Sequence, residues 1–261
     1  MLYAAEQLTW ENLRRLSSEG VPIVLPSGAL EQHGPHLPTK VDSFLVGEVC
    51  RAAAEQVDRE LVLLPTLWVG ASDHHTPFFA ASLDETTYSN VVVNLARSVS
   101  FAGFRKFIVI NGHGGNAAPL RVAMTTVRQH LPEVWGIAVE YWSLAAAGIA
   151  DLRVSSVGGM AHAGEFETSL MQFLSPEEVK DSHVHSSRPD VPEQLRPDLL
   201  DAGPASSSLP WTKLTDNGTV GDPDSADPAR GREFFGCVVG AVSEFLHSVC
   251  DYDPVQDARN T

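Results

Sequence analysis

The sequence predicts an α/β protein, a three-layer α/β/α sandwich on a mainly parallel central sheet, and three observations carry that prediction. Short continuous apolar runs, residues 21–27 and 106–110 (KFIVI) among them, read as strands buried on both faces. They alternate with stretches of helical spacing. Each run ends abruptly in a glycine-rich loop, the place where open α/β sheets display ligand-binding residues.

Taken in order, residues 21–27 (VPIVLPS) form a strand that delivers its end to the loop GALEQHGPHLP. From Asp42 the spacing turns helical through Phe44, Val46, Val49, Ala53 and Val57, which places Asp42 as an N-cap, with a side chain that can alternatively point at a metal. Residues 61–69 read as a strand, 86–102 as a helix and 106–110 as a second buried strand ending at NGHGGN. A helix over 117–130, a strand over 134–141 and the opening of a helix at 165–174 continue the alternation. Residues 186–230, rich in Pro, Ser, Asp and Gly, have no sustained period and read as a lid or a subunit-contact segment. Helical spacing returns over 233–249, and the final DYDPVQDARNT reads as a loose tail.

The 261 residues, 43% of them hydrophobic, suffice for a sizeable core, and one domain over 1–261 is the default. Thirty-three Asp and Glu against 18 Lys and Arg give a net charge of −15, which disfavours nucleic acid and anionic lipid as partners. The three cysteines show no C-x-x-C pairing, so they read as thiols in a reducing compartment. The first residues lack a basic start and apolar core, and no uninterrupted apolar run reaches about 18 residues. A soluble, cytoplasmic protein is expected.

Three clusters can carry chemistry. Glu31 and His33 share a Gly- and Pro-rich loop with His36, and Asp42 follows nine residues after His33. Carboxylates mixed with imidazoles suit zinc, manganese or ferrous iron, and a carboxylate such as Asp42 can bridge two ions. The plainer alternative is a solvated glutamate, turn histidines and a capping aspartate. Next, His113 sits among Gly112, Gly114 and Gly115, which let the backbone turn sharply and approach a ligand; a tight turn with an incidental histidine is the alternative. No phosphate-loop pattern is present, so anion contact there is at most a supplement. Last, His162 precedes Glu165 and Glu167 in HAGEFETS, where both carboxylates favour the helix dipole but point in different directions.

In combination, GALEQHGPHLPTKVD at 28–42, NGHGGN at 111–116 and HAGEFETS at 162–169 resemble the creatininase family, from about residue 21 to 174. The resemblance implies a metal-dependent amidohydrolase working as a homo-oligomer, up to a hexamer, with two divalent ions per subunit (zinc, manganese or iron). It implies Glu31 and His113 on one metal, His33 on the other, Asp42 between them and Glu167 completing the second site, with Glu165 behind it. His162 becomes the proton donor to the leaving nitrogen, and Asp73, His74 and His75 with Gly114 and Gly115 become substrate contacts.

The chain departs from creatinine-hydrolysing members where Gly114 and Gly115 replace a tyrosine and a metal-binding glutamate. The ring-shielding tryptophan has no counterpart just before His162, so creatinine itself is disfavoured. The glycine version looks more like members that deformylate an amino-pyrimidine ribotide or trim a small peptide in cofactor maturation. A small-molecule amide is the expected substrate. A metal-stabilised binding protein without turnover and a dinuclear phosphoesterase are the competing readings; no G-x-S-x-G elbow supports a serine hydrolase.

Overall fold

The computed structural model describes residues 1–180, 182 and 184–252. Nine strands appear among them: β1 (Leu2–Ala4), β2 (Ile23–Ser27), β3 (Leu30–Glu31), β4 (Leu61–Leu63), β5 (Ala80–Ala81), β6 (Lys106–Asn111), β7 (Trp135–Glu140), β8 (Met160–His162) and β9 (Val220–Gly221). Five of these form one wholly parallel sheet in the order β1-β4-β2-β6-β7. Helices α1 (Trp10–Ser18), α2 (Val41–Gln56), α3 (Glu85–Phe101), α4 (Ala117–His130), α5 (Tyr141–Leu144), α6 (Ala146–Leu152), α7 (Glu165–Leu174) and α8 (Pro228–Asp251) cover it.

Alternation along β6 shows why three layers form. Phe107 and Val109 pack with Leu16, Tyr88, Val92, Ala96 and Leu120, from α1, α3 and α4. Ile108 and Ile110 face the other way, toward Val46, Val49, Phe166, Phe234 and Val238 from α2, α7 and α8. A strand apolar at every position therefore serves two cores at once. Helix α8 is apolar and long enough by composition to cross a membrane. Its stripe Phe234, Val238, Val242, Leu246 and Val249 is buried in this second core, the pattern of a core helix.

Several expected boundaries change. The strand expected over 61–69 stops at Leu63, after which Leu67 makes only an isolated bridge to Ser27, because Pro65 withholds an N–H and the chain turns toward the site. Asp42 is not an N-cap: α2 begins at Val41 after Lys40, and Asp42 lies in its first turn. The last helix starts at Pro228, capped by the Asp227 side chain, and runs to Asp251, so the first residue of the tail expected over 251–261 is helical; the rest of it beyond Tyr252 lies outside the described residues. The segment 186–230 carries no long element but is clamped to the sheet edge of the site, since β9 pairs antiparallel with β8 and places Val220 opposite His162.

Candidate active site

The candidate functional side chains converge just beyond the carboxyl ends of β2 and β6, which pair with Ser27 opposite Asn111. After β2 the chain runs through β3, bringing Glu31 and His33, and α2 then returns Asp42 from its first turn. After β6 the NGHGGN loop presents His113. Asn111 organises that loop by accepting from the His113 N–H at 3.1 Å and donating to its carbonyl at 2.8 Å, while Asn116 ties it to the Gly28 carbonyl and the Ala71 N–H. At Gly115 a Cβ would collide with the Ala71 carbonyl and the His113 ring, so the close approach requires glycine. The third contribution comes from β8 and α7, where Ala163 adopts φ 52° and turns its N–H onto Glu167 Oε2 at 2.6 Å.

Two triads of ligand atoms result, each within 4.8 Å: Glu31, Asp42 and His113, and His33, Asp42 and Glu167. Asp42 belongs to both. Its Oδ1 lies 3.1 Å from His33 Nε2, and its Oδ2 lies 3.0 Å from His113 Nδ1. A third grouping, Glu31 with His33 and His162, overlaps them. All these residues are buried.

Hydrogen bonds from the far side of each ring fix which nitrogen faces inward. His33 Nδ1 donates to the Glu31 carbonyl at 3.1 Å, leaving Nε2 for the centre. His113 Nε2 donates to the Ala71 carbonyl at 3.1 Å, leaving Nδ1. Backbone carbonyls accept only, so each far nitrogen carries hydrogen and each near one can offer a lone pair to a cation. Glu31 Oε1 and Oε2 and Asp42 Oδ2 are buried without any hydrogen-bond partner. Buried carboxylate oxygens left unpaired are costly, and their convergence with inward lone pairs fits divalent cations.

The electrostatics agree. Burial alone would depress His33, but the carboxylates of Asp42, Glu167 and Glu31 overcome it and hold its pKa up at about 10. His113, likewise buried, is held at about 9 by Glu31 and Asp42. Asp42 is lowered despite burial by His33 and His113. Glu31 is lowered against its burial by His113 in the first place. Glu167 is raised by burial to about 7. Burial, with His33 and His75 adding to it, pushes His162 well below its ordinary value.

The site opens into a cavity of about 280 Å³ lined by Glu31, Asp42, His74, His75, His113, His162 and Glu167, and by Gly114 and Gly115. Of the expected substrate contacts, Asp73 is exposed and outside this lining, and His75 is fully buried with Nε2 2.9 Å from Glu31 Oε1. His74 stacks on His113, with centroids 5.7 Å apart. Glu165 points away, accepting from the Val154 and Ser155 N–H groups and pairing with Arg230.

Four contributors were not expected from sequence. Trp211 lies against His75, with centroids 4.2 Å apart, and edge-on to His162. Asp198, held by Arg153 at 2.5 Å, and Trp142 complete the wall. Gln32, between two candidate ligands, hydrogen-bonds three other parts of the site. Its position inside the EQH loop was the available signal.

Residues 6–246 match the creatininase family, described as creatinine amidohydrolase. The chain belongs to the creatininase family. As a creatininase-family enzyme it is a hydrolase of carbon–nitrogen bonds. It is 31% identical over 233 residues to a mycofactocin precursor peptide peptidase of Mycobacterium ulcerans (strain Agy99), covering 86% of this chain and 84% of that protein. To the creatinine amidohydrolase of Pseudomonas putida it is 29% identical over 225 residues, covering 79% and 84%. A crystal structure of creatinine amidohydrolase (creatininase) superposes with a TM-score of 0.81 at 25% identity, covering 96% of this chain and 98% of the other.

Proposed function

We propose that this creatininase-family enzyme hydrolyses a small, non-standard amide, using water activated between two divalent cations. Glu31, Asp42 and His113 would hold one cation and His33, Asp42 and Glu167 the other. The division of Asp42 between two inward-facing imidazoles is the observation that carries this reading. Carboxylate and imidazole donors together suit zinc, manganese or ferrous iron. When bound, such ions lower the pKa of a shared water and polarise the substrate carbonyl.

The chain's own residues supply the rest. His162 donates from Nε2 to the Gln32 carbonyl at 2.8 Å, so Nδ1 carries its lone pair toward the centre, 3.7 Å from Glu31 Oε1. With its basicity suppressed by burial, this nitrogen accepts a proton during attack and returns it to the leaving nitrogen as the C–N bond breaks. Trp142, Trp211, Leu199 and Val220 wall the cavity and limit water.

Among the described residues lining the cavity there is no Lys or Arg, and Asp198 is already neutralised by Arg153. Beyond the cations themselves an anionic substrate finds no side-chain counter-ion there, none of the Lys or Arg that clamp phosphoryl oxygens, which favours an uncharged cyclic amide, formamide or small peptide-like bond over a phosphoester. The same reading takes the protein as a cytoplasmic homo-oligomer, up to a hexamer; Trp68 and Phe79, both more than half exposed, are apolar surface available to subunit contact.

The test is metal content per subunit on protein purified without chelator or a metal-affinity tag, together with turnover of cyclic, formyl and peptide amides. Close to two transition metals with amide turnover supports the reading. No metal after reconstitution overturns the dinuclear mechanism in favour of a binding role, and turnover of a generic phosphoester alone favours the phosphoesterase.

A further inference from the structure

Gln32 stands between Glu31 and His33, yet its side chain turns away from them and is buried, 8% exposed, among three segments distant in sequence. Its Oε1 accepts from the Gly34 N–H at 2.9 Å. Its Nε2 lies 3.0 Å from the Gly218 carbonyl and 2.9 Å from His75 Nδ1. A backbone N–H can only donate and a backbone carbonyl can only accept, so these two contacts together fix which end of the amide is oxygen and which is nitrogen.

The proton positions around it follow in turn. One amide hydrogen goes to the Gly218 carbonyl. The other has two ring nitrogens within reach, His75 Nδ1 at 2.9 Å and His162 Nε2 at 3.0 Å. Because His162 Nε2 also meets the Gln32 backbone carbonyl, which only accepts, that nitrogen carries hydrogen, and the amide hydrogen goes to an unprotonated His75 Nδ1, so the hydrogen of His75 sits on Nε2. The backbone carbonyl of the same residue takes His162 Nε2–H at 2.8 Å, which leaves Nδ1 of that ring unprotonated. One residue therefore sets two neighbouring imidazoles, 4.7 Å apart, in opposite senses: His75 presents N–H and His162 presents a lone pair.

Within the protein the His75 N–H faces only Glu31 Oε1, an oxygen that a bound cation would claim. Nε2 lies 2.9 Å from Glu31 Oε1 but outside hydrogen-bond alignment, and it is buried without a partner at the cavity wall. An unpaired buried donor costs stability unless something in the cavity accepts from it.

We propose that Gln32 is a positioning residue that keeps His75 as a neutral Nε2–H donor facing the cavity, where that N–H holds an oxygen of the substrate, while keeping His162 as the proton acceptor. The assignment of the two tautomers stands on hydrogen bonding alone; the role of the N–H toward substrate rests on the amidohydrolase reading. The arrangement also depends on the loop that carries Trp211. Gly218 has φ +94°, and a Cβ there would collide with Gln32 Oε1, so this glycine lets its carbonyl reach the Gln32 amide. The seating of the 211–219 loop is thereby linked through one side chain to the donor state of His75.

The test is nitrogen-15 NMR of histidine-labelled protein dialysed against zinc, with the His75 and His162 signals assigned by their loss in His75→Asn and His162→Asn. The expected result is a hydrogen on Nε2 of both rings in the wild type. In Gln32→Leu, His75 should lose its single tautomer. In Gln32→Glu, which cannot donate, His75 should shift toward the Nδ1–H form. On any amide the wild type hydrolyses, Gln32→Leu should lower kcat about 10- to 100-fold with metal content unchanged, the range seen when an orienting partner is removed. Wild-type His75 carrying its hydrogen on Nδ1, or unaltered tautomers and kcat in the variants, would overturn the proposal. Absence of any amide turnover by the wild type would instead remove the amidohydrolase reading and the substrate role while the spectra still decide the tautomers. Should the variants fail to fold, the wild-type spectrum decides that assignment by itself.

Discussion

Asp42 Oδ2 and His113 Nδ1 face each other at 3.0 Å, and the carboxylate oxygen has no hydrogen-bond partner, while Oδ1 of the same aspartate meets His33 Nε2 at 3.1 Å. Two imidazoles thus address one carboxylate from opposite sides, each held from behind by a backbone carbonyl. Asp42→Ala should remove the element common to both triads. Metal per subunit is expected to fall from about two to near zero, and turnover to be lost, with the far-ultraviolet circular dichroism retained. Full metal content in this variant would contradict a shared ligand.

Cation binding should expel protons, because His33 and His113 hold theirs up to about 10 and about 9 against their buried setting. A cation needs the lone pairs at His33 Nε2 and His113 Nδ1, so at neutral pH loading both positions is expected to release about two protons per subunit. Calorimetry in buffers of different ionisation enthalpy reads that number. Affinity should strengthen as pH rises toward 9. Affinity flat between pH 6 and 9 would mean that these imidazoles are already neutral.

The same groups set the pH dependence of chelator-treated protein. Both histidines have folded-state pKa values raised above the ordinary 6.5, so their contribution is fully present below about 6.5 and lost as pH climbs through about 9 to 10. Glu167, raised to about 7, runs in the same direction. Glu31 and Asp42, both lowered, lose their contribution only on the acid side, as pH falls through their depressed values. Thermal scans should therefore show Tm declining from pH 6 toward pH 10 without metal, and declining less when cations take the place of the protons. A Tm that climbs over this range would reverse the assignment.

The sequence could be read best where one short loop carries both a turn signal and its chemistry. The strand at 106–110 and the helices at 117–130 and 165–174 follow from apolar period and flanking glycines, and all three lead directly to site residues. Strand β1, three residues long, and the two- and three-residue strands that pair as β3 with β5 and β8 with β9 have no period to detect, since their pairing is decided by tertiary context. Residues 64–69 look as apolar as a strand but are steered by Pro65 toward the cavity. Asp42 carried both a capping and a ligand reading; its place inside the first turn of α2 removes the first, and its orientation toward His33 and His113, invisible in sequence, is what the second requires. Trp211 was out of reach because its contact with His75 spans 136 residues of chain and depends on the β8–β9 clamp.

Glu165 and Glu167 lie two residues apart on α7 and should respond differently to substitution. Glu165 is fully buried, accepts two backbone N–H groups from Val154 and Ser155 and pairs with Arg230 at 3.3 Å, all away from the cavity. Glu165→Ala leaves those groups without an acceptor, so a loss of about 3 kcal/mol in unfolding free energy is expected, with metal content and activity per folded molecule retained. Glu167→Ala should instead lower metal content while costing less stability. Denaturant melts paired with metal analysis separate the two, and a metal-depleted, stable Glu165→Ala would exchange their roles.

Trp211 tests whether the 186–230 segment acts on substrate as well as closing the wall. Its ring lies 4.2 Å from His75 and 5.3 Å from His162 by centroids, lines the cavity, and offers no ligand atom to a metal. Removing an aromatic wall forfeits on the order of 1 kcal/mol of contact with a bound group beyond the lost area. Trp211→Ala is therefore expected to raise KM about tenfold while kcat changes by less than about threefold, with metal content constant. Trp211→Phe should recover most of the affinity, because a planar ring of similar depth remains. If kcat fell instead and KM stayed fixed, the ring would be acting through the orientation of His75 and His162, and the segment's influence would run through Gln32 rather than through contact with substrate.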